Sequence, residues 1–255
     1  MKNQEENLQK GIRINKYLSE AGVCSRREAD RAVEMGQVTI NGEPAVCGTR
    51  ILPGMQVCFK GEPVHEQKKE VLIAFHKPRG IVCTAEKREE NNIIDYINYP
   101  IRIYPVGRLD KDSEGLILLT NQGDLVNKIM RAGNFHEKEY IVTVDHDITD
   151  EFLEGMRRGV YLEELNVTTR RCMIEKISRR TFSMILTQGY NRQIRRMCAV
   201  FGYRVRRLVR TRIMNITLGD LPAGTYRDVT AEEKRELYRL IEHSYSAPRH
   251  TKRRS

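Results

Sequence analysis

The stretch Val106–Leu125, VGRLDKDSEGLILLTNQGDL, places one carboxylate, Asp110, between the cations Arg108 and Lys111 and ahead of the apolar run Leu116–Leu119. Neighbouring positive charge favours the ionised form of a carboxyl group. Asp110 could therefore stay charged at neutral pH and serve as a nucleophile or a base. An aspartate in a polar turn is also a common cap or loop hydrogen-bonder, and this stretch alone does not separate the two uses.

A second concentration of chemistry lies at Arg192–Arg212, where eight arginines occur: Arg192, Arg195, Arg196, Arg204, Arg206, Arg207, Arg210 and Arg212. If Tyr203–Arg212 is a strand, its alternation puts Arg204, Arg206, Arg210 and Arg212 on one face beside Leu208. Like charges stacked on one face repel unless an anion neutralises them, which points to nucleic acid; a solvated face is the plain alternative. Arginine rather than lysine favours bidentate phosphate binding and stacking. Near the N-terminus, Arg26 and Arg27 open a helix, where positive charge opposes the macrodipole at about 0.3–1 kcal/mol each. With Arg13, Lys16 and Arg31 they suggest a phosphate-facing surface, a solvated helix face with incidental arginines being the plain alternative.

The elements that must hold these groups follow from pattern. Residues 11–36 read as two short helices, the first with an apolar stripe of Ile12, Ile14, Tyr17, Leu18 and Ala21 ending at Gly22. Ser25 and Glu28 form a capping box for the second, which stops at Gly36. Short strands are expected at Val38–Ile40 and Gln56–Lys60, then a polar linker at Gly61–Glu70. Beyond it, Val71–Phe75, Leu116–Thr120, Glu139–Val144, Phe182–Thr187 and Tyr203–Thr211 read as strands. Helices are expected to open at Asp124, Thr149, Asn191 and, through a second capping box with Glu233, at Thr230, the last running to about His243. Strands succeed one another without regular crossover helices. The expected fold is therefore α+β, with a small N-terminal module over 11–69 and a mixed, largely antiparallel sheet domain over 70–245. A basic tail, 246–255, is expected to be disordered.

Composition limits the partners. The 255 residues carry a net charge of +10, which favours a polyanion. Aromatic residues are 7%, with no tryptophan, which disfavours a stacked single-strand platform and favours folded RNA. The N-terminal MKNQEENLQK has no apolar core for a signal peptide, and no apolar run reaches the ~18 residues of a membrane span. Six cysteines without a C-x-x-C pair fit reduced thiols in the cytoplasm, and neither they nor the six dispersed histidines suggest a metal.

The string GRLDKDSEGLILLTNQGDL closely resembles the catalytic motif of pseudouridine synthases, particularly the RsuA/RluF branch that acts on ribosomal RNA. FHKPRG (Phe75–Gly80) resembles that branch's first motif, with His76 where asparagine is more usual. KEYIVTV (Lys138–Val144) resembles its tyrosine motif and QGYNRQIRRM (Gln188–Met197) its arginine-rich motif. RINKYLSEAGVCSRREADRAVEMGQVTING resembles an S4 RNA-binding domain, and HEKEYIVTVD with RTRIMNITLG points to an RluF-like subgroup.

The resemblance implies a monomer that converts uridine to pseudouridine in large-subunit ribosomal RNA without a cofactor, transfer RNA being a second candidate substrate. Asp110 would be the essential carboxylate, attacking the ribose or base or abstracting a ribose proton. Tyr140 would lie against the flipped uracil. Arg192 or Arg195 would pair with Asp110, Ile194 would form a pocket wall or simply core, and Arg108 would hold the extruded nucleotide or a nearby phosphate. Lys77 would contact substrate, and Arg196 would join the RNA-binding arginines.

Overall fold

Buried and exposed positions along the chain follow these periodicities closely enough to build two units. The computed structural model describes residues 11–245 except 66, 68 and 87, so the tail at 246–255 lies outside the described residues. One unit comprises residues up to Glu70 together with Pro100–Ile103, and the other Val71–Tyr99 with Tyr104 onward.

In the first unit, β1 (Ile12–Arg13) leads into α1 (Ile14–Glu20) and α2 (Arg26–Glu34). These are followed by β2 (Val38–Ile40), β3 (Glu43–Pro44), β4 (Arg50–Ile51), β5 (Val57–Phe59) and β6 (Glu62–Pro63). Ile14, Leu18, Ala29, Ala32, Val33, Val38, Ile51 and Val57 share one core. The Ser25–Glu28 capping box forms in both directions, at 3.2 and 2.7 Å. Two expectations change. Ile12 is exposed and pairs as a strand with Ile51 instead of extending the helix stripe, and β6 occupies part of the expected linker by pairing with β5.

The second unit contains β7 (Leu72–Lys77), α3 (Ile93–Ile97), β8 (Tyr104–Val106), β9 (Glu114–Thr120), α4 (Gly123–Met130), β10 (Lys138–Val144) and α5 (Asp150–Arg158). It continues with β11 (Tyr161–Leu162), β12 (Val167–Thr168), β13 (Met173–Ser178), β14 (Thr181–Leu186), α6 (Gln193–Val200), β15 (Val205–Ile213), β16 (Ile216–Thr217), β17 (Tyr226–Asp228) and α7 (Ala231–Leu240). The sheet runs β13-β14-β10-β15-β9-β7-β17, with β16 on β15 and β8 on β9. Only the β15–β9 pair is parallel among these described strands, so the sheet is mixed and largely antiparallel. β9 is buried on both faces from Gly115 on, as a central strand with a parallel neighbour must be, whereas β10 alternates strictly. No helix of the described residues is long and apolar enough to cross a membrane.

The close β9–β15 approach depends on Gly115. It sits at φ +110°, and a Cβ there would lie 2.4 Å from the Arg210 carbonyl oxygen and 2.5 Å from its nitrogen. Neither backbone atom can rotate away. Gly115→Ala is expected to destabilise the protein by about 3 kcal/mol, from positive-φ strain plus overpacking. Urea unfolding checks this, and a loss well under 1 kcal/mol would show that the two strands can separate freely.

The arginine strand differs from the simple alternation. β15 begins at Val205, so Arg204 precedes it, and its pairing with β10 shifts register between Glu139/Tyr140 and Thr143/Val144. Thr211 and Arg206 are the extra residues opposite those shifts, and each such bulge reverses the faces of the residues beyond it. Arg210 consequently lies beside Tyr140 on one face, and Arg212 beside Glu139 on the other. The single-faced stripe does not exist.

Candidate active site

Asp110 sits in the loop between β8 and β9, and the loop's backbone is tied at nearly every residue. Arg210 Nη1 donates to the Arg108 carbonyl (3.4 Å), and Leu109 N–H to Cys83 Sγ (3.3 Å). Ser113 N–H donates to the Asp110 carbonyl at 3.0 Å. The Lys111 carbonyl accepts from Gly80 N–H (2.8 Å) and Lys77 Nζ (3.5 Å), and the Asp112 carbonyl from Arg195 Nη2 (3.3 Å). Separate elements thus hold one carboxylate in place before any ligand arrives, which is the requirement for a preorganised site.

Around it lies a cavity of about 480 Å³, lined by Asp110, Arg108, Tyr140, Ile194 and both Arg192 and Arg195. Arg195 Nε stands 3.7 Å from Asp110 Oδ2, an ion pair too long for a hydrogen bond. The same guanidinium donates to Ser113 Oγ (3.2 Å) and the Val205 carbonyl (3.3 Å). Burial, then the neighbouring Arg192, lowers its proton affinity, but an arginine keeps its charge at neutral pH. Arg195 is therefore the basic partner of Asp110 in this structure. Arg192 caps α6 with a left-handed backbone (φ 51°) and stays exposed at the cavity edge. Ile194 is 5% exposed and lines the cavity, so the core and pocket-wall readings describe one position.

Several expected substrate contacts fall elsewhere. Lys77 is fully buried, and its ammonium donates to the Pro78 carbonyl (2.8 Å) as well as to the Lys111 carbonyl, so it supports the loop and is not part of the cavity lining. Burial also lowers its proton affinity. Arg210 is 1% exposed, with Nε on the Leu116 carbonyl at 2.7 Å; it lines the cavity and braces the loop, but forms no open surface. Arg212 is neutralised by Glu139 (2.8 Å) and Glu137 (3.1 Å). Arg196 pairs with Glu164 and donates to the Asn191 carbonyl, away from the cavity lining. Arg204 lines a second, shallower hollow with Arg192, Arg195 and Tyr203, and Arg206 is exposed at its bulge. In the N-terminal unit Arg13, Arg26, Arg27 and Arg31 are exposed, while Lys16 pairs with Glu20 at 3.6 Å.

The cavity lining also includes residues that the sequence did not mark out, Lys138 and Gln188 among them. Lys138, two residues before Tyr140 on the same face of β10, is 5% exposed; burial, then the charge of Arg210, pushes its ammonium down to about 8. Gln188, just past β14, is 5% exposed. Lys138 opens the tyrosine motif and Gln188 the arginine-rich one, so their place in those motifs was the available signal.

A basic two-helix module and a carboxylate-centred cavity on a mixed sheet match known proteins along most of the chain. The family model for RNA pseudouridylate synthases matches residues 71–200, and that for S4 domains residues 12–57. The chain belongs to the RNA pseudouridine synthase family, as an isomerase that converts uridine to pseudouridine in RNA and carries an N-terminal S4 domain. It is 54% identical over 237 residues to the dual-specificity RNA pseudouridine synthase RluF of Escherichia coli O6:H1 (strain CFT073), covering 92% of this chain and 81% of that one. Ribosomal large subunit pseudouridine synthase B of Bacillus subtilis (strain 168) is 32% identical over 242 residues, 92% and 99% of the two chains. A crystal structure of a pseudouridylate synthase aligns with a TM-score of 0.66 at 26% identity, covering 90% of this chain and all of that one.

Proposed function

We propose that the chain acts as a cytoplasmic monomer on structured ribosomal RNA of the large subunit, with transfer RNA as a second substrate, and that Asp110 is its catalytic carboxylate. The observation that carries this is the meeting of Asp110, Arg195 and Tyr140 in one cavity within a single chain. The names of the relatives support the RNA class: one is a large-subunit enzyme and the other is called dual-specificity.

The reaction breaks the N1–C1′ bond, joins C5 to C1′, moves a proton from C5, and leaves one on N1. It needs no redox partner or phosphate donor. It does need an ionised carboxylate at the glycosidic bond and a base taken out of its stack. Whether Asp110 adds to the ribose or the base, or removes a ribose proton, the same oxygen must be charged and held. The Arg195 guanidinium stands 3.7 Å from that oxygen. Tyr140 offers a ring against the base and a hydroxyl near C5. Arg108, exposed beside the cavity, holds the extruded nucleotide or its phosphate.

The S4 unit supplies affinity through phosphate contacts. Replacing both Arg26 and Arg27 by alanine is expected to weaken RNA binding roughly tenfold at physiological salt and to reduce the salt slope by about one to two. Filter binding across salt concentrations reads both. An unchanged slope would place the RNA away from α2.

The substrate test is to incubate unmodified large-subunit ribosomal RNA and transfer RNA with the protein, then map carbodiimide adducts by reverse transcription. Discrete new stops at single uridines in both RNAs are expected. Stops confined to transfer RNA would overturn the ribosomal assignment.

A further inference from the structure

Buried polar atoms without a hydrogen-bond partner in the protein are concentrated in the cavity. Among the described residues these atoms are His76 Nε2, Gln188 Nε2, Arg195 Nε, Arg210 Nη2 and Asn215 Oδ1. Gln188, Arg195 and Arg210 line the cavity, and the unpartnered atom of each is an N–H donor. A folded protein rarely leaves a buried donor unmet, so a group of them in one cavity calls for a ligand rich in acceptors. Lys138 adds to the set: its ammonium carries three N–H bonds and meets one protein acceptor, the His136 carbonyl at 3.1 Å.

These donors divide by what else they do. Arg195 faces the Asp110 carboxylate, and Arg210 spends its other nitrogens on the Leu116 and Arg108 carbonyls. Both serve the catalytic loop. Lys138 and Gln188 have no such duty. They are neighbours, because Lys138 pairs with Leu186 across β10 and β14, and Gln188 comes two residues later. Tyr140, the ring expected against the base, shares the face of β10 that carries Lys138.

We propose that Lys138 and Gln188 read the acceptor edge of the extruded base, donating to the carbonyl oxygens of uracil and so setting the enzyme's choice of uracil over cytosine. This rests on the cavity being the uridine site. Uracil presents O2 and O4 as acceptors on either side of N3–H. Cytosine replaces O4 with an amino group, which would face an ammonium or amide N–H and leave donors opposed. The Gln188 amide also has an oxygen that can accept from N3–H, so one side chain can satisfy two adjacent positions of uracil. A site built to hydrogen-bond a particular group rejects the analogue that lacks it far more strongly than an apolar pocket can.

The test uses RNA with its single target uridine replaced by 2-thiouridine or 4-thiouridine, because sulfur is a poor acceptor. The wild type is expected to lose about tenfold in kcat/KM for at least one of these substitutions. Gln188→Leu and Lys138→Met should each lower kcat/KM on ordinary uridine by roughly ten- to a hundredfold. The diagnostic is loss of the thio penalty: the variant lacking the donor should treat the thio and oxo substrates alike at its own carbonyl. Gln188→Asn and Lys138→Arg, which keep a donor, should retain part of it. The proposal is overturned if the wild type shows no penalty at either carbonyl, a measurement that needs no variant to fold, or if both variants keep the full wild-type penalty. Activity on uridine with no thio effect sinks the base-reading role alone, whereas a wild type that makes no pseudouridine in any RNA overturns the underlying reading as well.

Discussion

Asp110→Asn is expected to lower pseudouridine formation by on the order of 10⁴-fold or more, while RNA affinity stays within a fewfold of wild type. The change removes one charge and almost no volume. Asp110 contributes its side chain to the cavity but only its backbone carbonyl to the loop's hydrogen bonds, through Ser113, so the loop should keep its shape. The two measurements together are decisive: single-turnover pseudouridine formation reads the chemistry, and a binding isotherm reads the RNA surfaces. Loss of both would make Asp110 a structural residue. Wild-type turnover in the variant would remove it from the mechanism.

Arg195 should give the second largest effect, with roughly 10²–10³-fold lost in kcat on replacement by methionine. Its guanidinium faces the carboxylate and also ties Asp112, Ser113 and Val205 together, so truncation removes both the charge and the brace. Arg195→Lys should recover only part of the loss, because a lysine keeps the charge but not the planar fork that spans three acceptors. Pre-steady-state kinetics on saturating RNA separates this from weakened binding. A variant with normal kcat and a raised KM would make Arg195 a phosphate contact instead of the partner of Asp110.

The parts of this fold legible in the sequence are those set by near neighbours. The Ser25–Glu28 and Thr230–Glu233 boxes and the Thr149 cap form as their spacing predicts, because a capping hydrogen bond spans only three residues. β10 was legible because one face is buried and strict alternation results. β13 was not: as an edge strand it buries only Ile174, which leaves no period to detect. The arginine strand misled for a different reason. The extra residues at Arg206 and Thr211 are defined by the partner strand, and nothing within residues 203–212 announces a bulge. Lys77 was expected to contact substrate, yet its ammonium donates to the carbonyls of residues 78 and 111. As for the site, Asp110 was visible as a flanked carboxylate. Its pairing with Arg195 joins residues far apart in the chain, and only resemblance suggested it. Resemblance offered both Arg192 and Arg195, with Arg192 the less secure of the two, and in the structure the ion pair to Asp110 comes from Arg195.

Isomerisation at Asp110 is tested by nucleoside mass spectrometry combined with strand-length analysis of one structured ribosomal RNA fragment before and after incubation with the protein. Pseudouridine should appear in an amount equal to the uridine lost, with the strand intact and its mass unchanged, and should be absent with the Asp110→Asn variant. Shortened strands, abasic sites, or pseudouridine formed equally by that variant would contradict it.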